Sequence, residues 1–362
     1  MSQKVSIKDV AKAAGVSTAT VSNVFSGKKP VNVDLADKVR SVASRLGYQV
    51  NKAASLLRSG KNSVVSVLVP DLSDPFFTSI ITEIENLATE DGYEIIVGNS
   101  NDNVETEAGR LNALLAWQPA GLIVVPCSDK VPDLLRKPDM PACVFLDRVS
   151  EFDVADTVTI DNVGAGAIAA KHLTDKGHHR VLVAASDLDL APIRERAAGV
   201  EAQMHKIAGA VDFLELGSDP QIGAQTLGAW IDIHPLPSAI VATNDMTTLA
   251  ALSCVADRKF DLPGQISVVG FDDYAWMQAR RTGITVIKQP VDDIATSAWE
   301  LLKERMNGGT GPIVNKVHDC SLIVRDSVRN LGSHGADHSQ REKPQDTIGS
   351  RATHRESGER MS

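Results

Sequence analysis

Residues 7–26 read IKDVAKAAGVSTATVSNVFS, and the spacing predicts two short helices joined by a tight turn. Ser6 and Asp9, three apart, form a capping-box pattern that starts the first helix. Ile7, Val10, Ala11 and Ala14 recur at helical spacing and give that helix one apolar stripe. Gly15 ends it, because glycine takes a left-handed turn residue without penalty. Ser17 is placed to cap a second helix, Thr18 to Phe25. Val16, Val21 and Val24 turn that helix back onto the first. Thr18, Ala19, Ser22 and Asn23 are left on its outer face, short and mostly polar, as a helix entering the DNA major groove requires. Any small helical hairpin would share part of this pattern. The run Ala-x-x-x-Gly-Val-Ser is more specific and points to a helix-turn-helix.

The charge distribution agrees. The chain has 362 residues and a net charge of −9. Residues 1–62 carry eleven Lys and Arg against three Asp and Glu, a balance of +8, so the remaining 300 carry −17. A small basic head on an acidic body is the footprint of a DNA-binding module attached to something else. The head can displace counterions from phosphate while the body stays off the duplex.

Length and composition call for more than one core. At 43% hydrophobic the chain is globular in composition, and no stretch approaches the roughly 20 apolar residues of a membrane span. The start, Met-Ser-Gln-Lys-Val-Ser, has no apolar signal segment, so a cytoplasmic location is expected, with no membrane partner. Cys127, Cys143, Cys254 and Cys320 stand far apart without a Cys-x-x-Cys. They read as buried thiols, with no metal site and no cofactor expected.

After the hairpin, Ser26-Gly-Lys-Lys-Pro30 is a loop by composition, with two lysines in reach of phosphates. Asn32 caps a third helix, Val33 to Leu46, whose inward face is Leu35, Val39, Val42 and Leu46, and Gly47 ends it. Tyr48 to Lys61 is a linker of weak helical character. Two turns of helix are not stable alone in water, so this segment would become helical only when docked. Its leucine pair, Leu56 and Leu57, suits insertion into a minor groove, or equally the packing of a linker helix on the body.

From Val64 short apolar runs alternate with helical stretches. The strands expected are Val64–Val69, Glu94–Val97, Gly121–Val125, Cys143–Leu146, Thr157–Ile160, Val181–Ala185, Asp212–Leu216, Ala239–Ala242 and Ile266–Phe271. Helices are expected at Phe76–Glu90, Val104–Trp117, Ala165–Lys176, Arg194–His205, Ile222–Ile231, Asp245–Asp257 and Val291–Asn307. Such alternation means parallel sheets with covered faces. About a dozen strands exceed one sheet, so the fold class is α/β: a three-helix head with a linker, then two doubly wound units. Ligands of such folds sit beyond the carboxyl ends of the strands, which makes the cleft between the units the expected site. The last thirty residues are polar and lack a core, and a disordered tail is expected over 332–362.

In this order of parts the chain resembles the lactose-repressor (LacI) family of bacterial transcription regulators. The resemblance spans roughly residues 5–328 and rests on IKDVAKAAGVSTATVSNV, LGYQVNKAASLLRSGK, VPDLSDPFF, GLIVVP, ATNDMTTLAAL and ISVVGFDD. It implies a body similar to periplasmic sugar-binding proteins, and the following division. Residues 1–48 form the helix-turn-helix domain and 49–62 the hinge. Residues 63–331 form the effector and dimerisation domain, split into 63–161 plus 288–319 and 162–287 plus 320–331. A homodimer reading a palindromic double-stranded operator is implied, most often as a repressor of carbohydrate uptake or catabolism.

The resemblance assigns operator readout to Thr18, Ala19 and Asn23, and phosphate or capping roles to Ser17, Thr20 and Ser22. Asn51 belongs to the retained Tyr48-x-x-Asn51 motif of the hinge, and Leu57 matches the intercalating leucine. Two positions depart from the family pattern: Val50 stands where proline is usual and Ser55 where arginine is usual. In the body the resemblance places a small-molecule effector among Asp74, Phe76 and Phe77 on one lip and Asp147 and Arg148 after the fourth strand. Arg196, Asn244 and Asp272 stand on the other unit. These side chains suit a polyol: paired hydrogen bonds from Arg196 and Asp272, a donor and acceptor in Asn244, and an aromatic face for a sugar ring. Asp74 stands where the family often has asparagine and favours a basic or hydroxyl-rich ligand. Arg148 with Arg196 favours a sugar acid or sugar phosphate. Purine-binding members have an aromatic near Gly217-Ser218 that is lacking here, so a purine effector is the less favoured alternative.

Two rival readings fit the sequence less well. Gly164-Ala165-Gly166-Ala167-Ile168-Ala169 approaches a dinucleotide fingerprint, but Asp161 puts an acid where phosphates would sit. Small residues there are expected instead to let a helix cross close to the sheet. No Gly-x-Ser-x-Gly or Gly-x-x-x-x-Gly-Lys is present, and His178-His179 reads as a solvated or capping pair, so no enzyme is expected. A periplasmic binding protein fits neither the basic head nor the missing signal segment.

Overall fold

In the computed structural model, described over residues 5–26, 29–48, 63–128, 132–137, 139–148 and 154–332, the first turn begins where the capping pattern places it. The Ser6 backbone N–H and hydroxyl both donate to the Asp9 carboxylate, at 2.9 and 2.7 Å. Helix α1 runs Ile7–Ala14 and stops at Gly15, whose φ of 70° only glycine adopts cheaply. Helix α2 covers Thr18–Ser26, and α3 covers Val33–Leu46 from an Asn32 cap to Gly47. Val10, Ala11, Ala14, Val21, Val24, Val39, Val42 and Ala43 form a separate small core under the three helices. Tyr48 packs on its edge, with its ring 5.9 Å from that of Phe25.

The body begins with β1 (Val64–Val69), α4 (Pro75–Glu90), β2 (Glu94–Asn99), α5 (Val104–Leu115), β3 (Gly121–Val124), β4 (Ala142–Leu146) and β5 (Asp156–Ile160). It continues with α6 (Asn162–Asp175), β6 (Arg180–Ala185), α7 (Ala191–His205), β7 (Ala210–Glu215), α8 (Pro220–Ile233), β8 (Ala239–Ala242), α9 (Asp245–Asp257) and β9 (Ser267–Phe271). The last elements are α10 (Ala275–Gln278), β10 (Thr285–Lys288), α11 (Val291–Met306), β11 (Asn315–His318) and β12 (Ser321–Ile323). Two six-stranded sheets result, ordered β11-β5-β4-β3-β1-β2 and β12-β10-β9-β8-β6-β7. All neighbours are parallel except the antiparallel pair β10–β12. The chain passes between the sheets after β5, after β10 and after β11.

The central strands are buried on both faces and so read as unbroken apolar runs; β1, β3, β5, β8 and β9 have no exposed residue. The edge strands β11 and β12 are polar or mostly accessible. These two and the short β10 carry no apolar run of length, and the sequence pattern did not disclose them. Helix α11 returns to the first sheet, where buried Trp299 donates its indole N–H to Asp91 at 2.7 Å. Arg305 of the same helix binds the buried Asp156 carboxylate with two bonds, 2.7 and 2.8 Å.

Two expectations are corrected here. The glycine-alanine run at 164–169 lets α6 approach another helix rather than only the sheet. A Cβ on Gly166 would lie 2.0 Å from the Arg196 carbonyl oxygen of α7, and one on Gly199 would lie 2.0 Å from that of Val163. Its N-terminus is closed by Asp161, which accepts the Gly164 N–H at 2.8 Å, so no phosphate can use it. His178 is not solvated: it is fully buried, and its two ring nitrogens reach Ser238 Oγ at 2.9 Å and the Arg329 carbonyl at 3.1 Å. It ties the C-terminal segment to the second sheet. Of the four cysteines, Cys127, Cys254 and Cys320 are buried and Cys143 is half-buried. The hinge residues Asn51 and Leu57, the two departures at Val50 and Ser55, and the tail beyond Gly332 lie outside the described residues.

Candidate functional site

On the head, Ser17 Oγ accepts the Thr20 N–H at 3.0 Å and so caps α2. That leaves Thr18 and Ala19 exposed on the first turn, with Thr20, Ser22 and Asn23 half-buried. Val21 and Val24 face the core. The outer face of α2 is thus short-chained and open, as the sequence pattern implied.

The body's main cleft lies between the two sheets. Its cavity is lined by all eight residues that the sequence singled out: Asp74, Phe76, Phe77, Asp147, Arg148, Arg196, Asn244 and Asp272. Asp147, Arg148, Asn244 and Asp272 stand where a strand has just ended, Asp74, Phe76 and Phe77 at the start of α4, and Arg196 in the second turn of α7. Asp74, between β1 and α4, caps α4 by accepting the Phe76 N–H at 2.8 Å. Asp147 follows β4 and Asp272 follows β9, both with left-handed backbone, φ 61° and 66°. The two positions are counterparts. Each strand is third from the edge in its sheet, and each aspartate N–H donates to the next strand, to Val158 O at 3.1 Å and Ile287 O at 2.7 Å.

Arg196 is 5% exposed and rigidly held. Its Nε donates to Asn162 Oδ1 at 2.9 Å, one terminal nitrogen to the Thr243 carbonyl at 2.7 Å, and the other to Gln289 Oε1 at 3.5 Å. Its guanidinium lies 3.9 Å over the Phe271 ring. Gln289 donates in turn to Asp272 at 2.8 Å. Asn244 spends its side-chain oxygen on capping α9, where it accepts the Thr247 N–H at 2.9 Å, so its amide nitrogen is what it can offer a ligand. Arg148 is ion-paired with Asp102 and lies 5.7 Å from the Phe77 ring centre.

The cleft holds its acids against burial. Loss of water pushes the Asp272 carboxyl up to about 7, with Arg196 and Gln289 pulling it back. Burial pushes Asp74 to about 7 as well, reinforced by the nearby Asp245 charge. Asp245 is likewise raised to about 7 by burial and then by Asp272. Asp147 is raised by burial, with Arg196 and Arg148 opposing.

A family model for "periplasmic binding proteins and sugar binding domain of LacI family" matches residues 62–302, and one for "bacterial regulatory proteins, lacI family" matches residues 6–51. The chain belongs to the LacI family of DNA-binding transcriptional regulators. Among its relatives, the transcriptional regulator PtxS of Pseudomonas plecoglossicida is 30% identical over 332 residues, covering 90% of this chain and 97% of that protein. The transcriptional repressor CytR of Escherichia coli (strain K12) is 27% identical over 331 residues, covering 90% and 96%. The lac repressor dimer bound to operator and the anti-inducer ONPF shares the fold at a TM-score of 0.79, with 24% identity, 90% of this chain and all of that one covered. A CelR–cellobiose complex matches at 0.66, with 24% identity and 89% and 99% covered.

The same cavity of this LacI-family body is also lined by residues that the sequence pattern missed: Ser186, Leu190, Pro192, Ile193, Asp245 and Gln289. Asp245 had a signal, since it adjoins Asn244 at a helix start. Gln289 had none, because it follows β10, a strand too short to read. Among the described residues no helix is long and apolar enough to cross a membrane.

Proposed function

We propose that this regulator binds a palindromic operator as a homodimer, most simply as a repressor of carbohydrate uptake or catabolism genes, and that a sugar-like effector in the cleft controls it. One observation carries the effector half of this reading. Side chains from the carboxyl ends of both sheets converge on a single cavity, with aromatic faces on one unit and a buried, pre-ordered Arg196–Gln289–Asp272 chain on the other. That is the equipment of a polyol site. The cavity is about 40 Å³, room for about three waters. A sugar enters only if the units part, so ligand occupancy and unit spacing are linked. The effector can shift DNA affinity only through different affinity for the two spacings. Thr18, Ala19 and Asn23 read bases, Ser17, Thr20 and Ser22 support the backbone contacts, and Asn51 and Leu57 act in the hinge.

The test has two parts. The full chain is used to select duplexes from a random library; a two-fold symmetric consensus is expected, and an asymmetric one would overturn the dimeric reading. A thermal-shift screen then covers sugars, sugar acids, sugar phosphates and nucleobases, where a ligand at 100 times its Kd adds about 2.7 kcal/mol. A sugar hit that also alters operator affinity supports the reading. A nucleobase hit would replace it with a purine-responsive regulator, and no hit would remove the small-molecule effector. Leu57→Ala should weaken operator binding roughly tenfold, the loss of an inserted apolar wedge, with effector affinity unchanged.

A further inference from the structure

Four carboxylates line the proposed effector cavity, those of Asp74, Asp147, Asp245 and Asp272, against two guanidiniums. Arg148 is already paired with Asp102, which does not line the cavity. Arg148 offsets Asp74 and Asp147 only in part, and the bonds of Arg196 go to neutral acceptors on Asn162, Thr243 and Gln289, so the four acids outweigh the two guanidiniums. Among the described residues none of the four carboxylates makes a salt bridge.

Two of the natural receptors for an anion are also taken. A helix N-terminus favours negative charge, but at α4 the Asp74 carboxylate fills that place by accepting the Phe76 N–H. At α9 the Asp245 carboxylate accepts the Met246 N–H at 2.8 Å and Asn244 takes the Thr247 N–H. The neighbouring cavity, about 340 Å³, shares Asp272 and Gln289 and adds Glu83, Asp273 and Asp292 against Lys288. Such a field draws cations and repels anions.

Resting on the effector reading above, we propose that the cleft takes a hydroxyl-rich ligand bearing a protonated amine, held between Asp74 of the first unit and Asp245 of the second. Asp74 and Asp245 belong to different units and repel each other across the cleft. Closing the cleft without a cation either brings two like charges together or forces one of them to take up a proton, in a place that water has left. An ammonium between them turns that repulsion into two charge-assisted hydrogen bonds, one to each unit. The amine thereby favours the closed spacing, and the hydroxyls are read by Arg196, Asn244 and Asp272. Burial first, and then the neighbouring Asp245 charge for Asp74 and the Asp272 charge for Asp245, raise the two carboxyls, as expected of acids held in a dry cleft without a cation.

The experiment titrates the full chain at pH 7 with matched series, each a neutral sugar, its 2-amino form and its uronic acid: glucose, glucosamine and glucuronic acid, then the galactose and mannose sets. The amino form of one series should bind at least about tenfold tighter than its neutral parent, a difference of about 1.4 kcal/mol, and the acid more weakly than both. Asp74→Asn keeps a good helix cap and should bring amine and parent to within about threefold. Neutral or acid forms binding as tightly as the amine overturn the charge assignment. If that binding disappears in Arg196→Ala, the effector cleft itself stands. If no member of any series binds, the effector reading and this assignment fall together.

Discussion

The two units of the body have the same strand order and place an aspartate in left-handed backbone at equivalent strand ends, yet they contribute unequally to the cleft. The second unit brings Arg196 and Asp272, joined through Gln289 where the chain leaves β10, all three nearly sealed. The first brings the Phe76–Phe77 pair, rings 5.3 Å apart and edge to face, with Asp74 and Arg148 half-buried at its rim. One wall is a pre-ordered hydrogen-bonding surface and the other is an apolar and charged cover. A ligand that docks on the ordered wall finds its polar partners already oriented, which lowers the entropy cost of binding. The cover then completes the site when the units close.

That asymmetry can be broken at its strongest point. Gly166→Ala drives a methyl into the Arg196 carbonyl at the α6–α7 crossing. A shift of backbone is then required, and a loss of about 3 kcal/mol is expected by denaturant unfolding. A near-neutral result would show that the ordered wall tolerates displacement. Arg196→Ala removes the centre of the same wall while leaving the head untouched. Effector binding should fall at least about a hundredfold, and operator binding in the absence of ligand should stay within about threefold. If Phe77→Ala costs more effector affinity than Arg196→Ala, the roles of the two walls are reversed.

Acidity sharpens the comparison with a smaller effect. Asp74, Asp245 and Asp272 have carboxyls raised to about 7 in the fold, against about 3.8 as the ordinary value. A raised carboxyl binds more protons folded than unfolded, so its stability contribution is complete below about 4 and is lost as pH rises through 7. The ligand-free protein should lose Tm between about pH 4 and about pH 7. Asp74→Asn should recover ~3 °C of that loss at pH 8 and almost none below about pH 4. An equal shift at both values would detach the effect from ionisation. A cationic ligand should flatten the same slope.

The helix-turn-helix head was legible almost residue by residue, and the central strands nearly as well. Local rules decide both: Gly15 stops a helix wherever it stands in that pattern, and a strand covered on both faces is an apolar run. The cleft residues were legible for a different reason, their position just after such runs or at helix starts, which the family resemblance sharpened. What escaped is equally specific. Edge strand β11 is polar because it meets water, and β12 is only three residues long, so both resemble loops. His178 looks like a surface turn residue until Ser238 and Arg329 close over it. The pairing of α6 with α7 depends on Gly166 and Gly199, which are 33 positions apart in the chain.

By itself the sequence determined a basic three-helix head, an acidic α/β body and the residue types that end its strands, because these follow from charge, periodicity and capping over a few neighbouring positions. Tertiary structure alone decided that Gln289 links Arg196 to Asp272, that Asp102 claims Arg148, and that Asp74 and Asp245 confront each other across the cleft. Those relations join segments far apart in the chain, and they arise only when two separate sheets bring their carboxyl ends to one cavity.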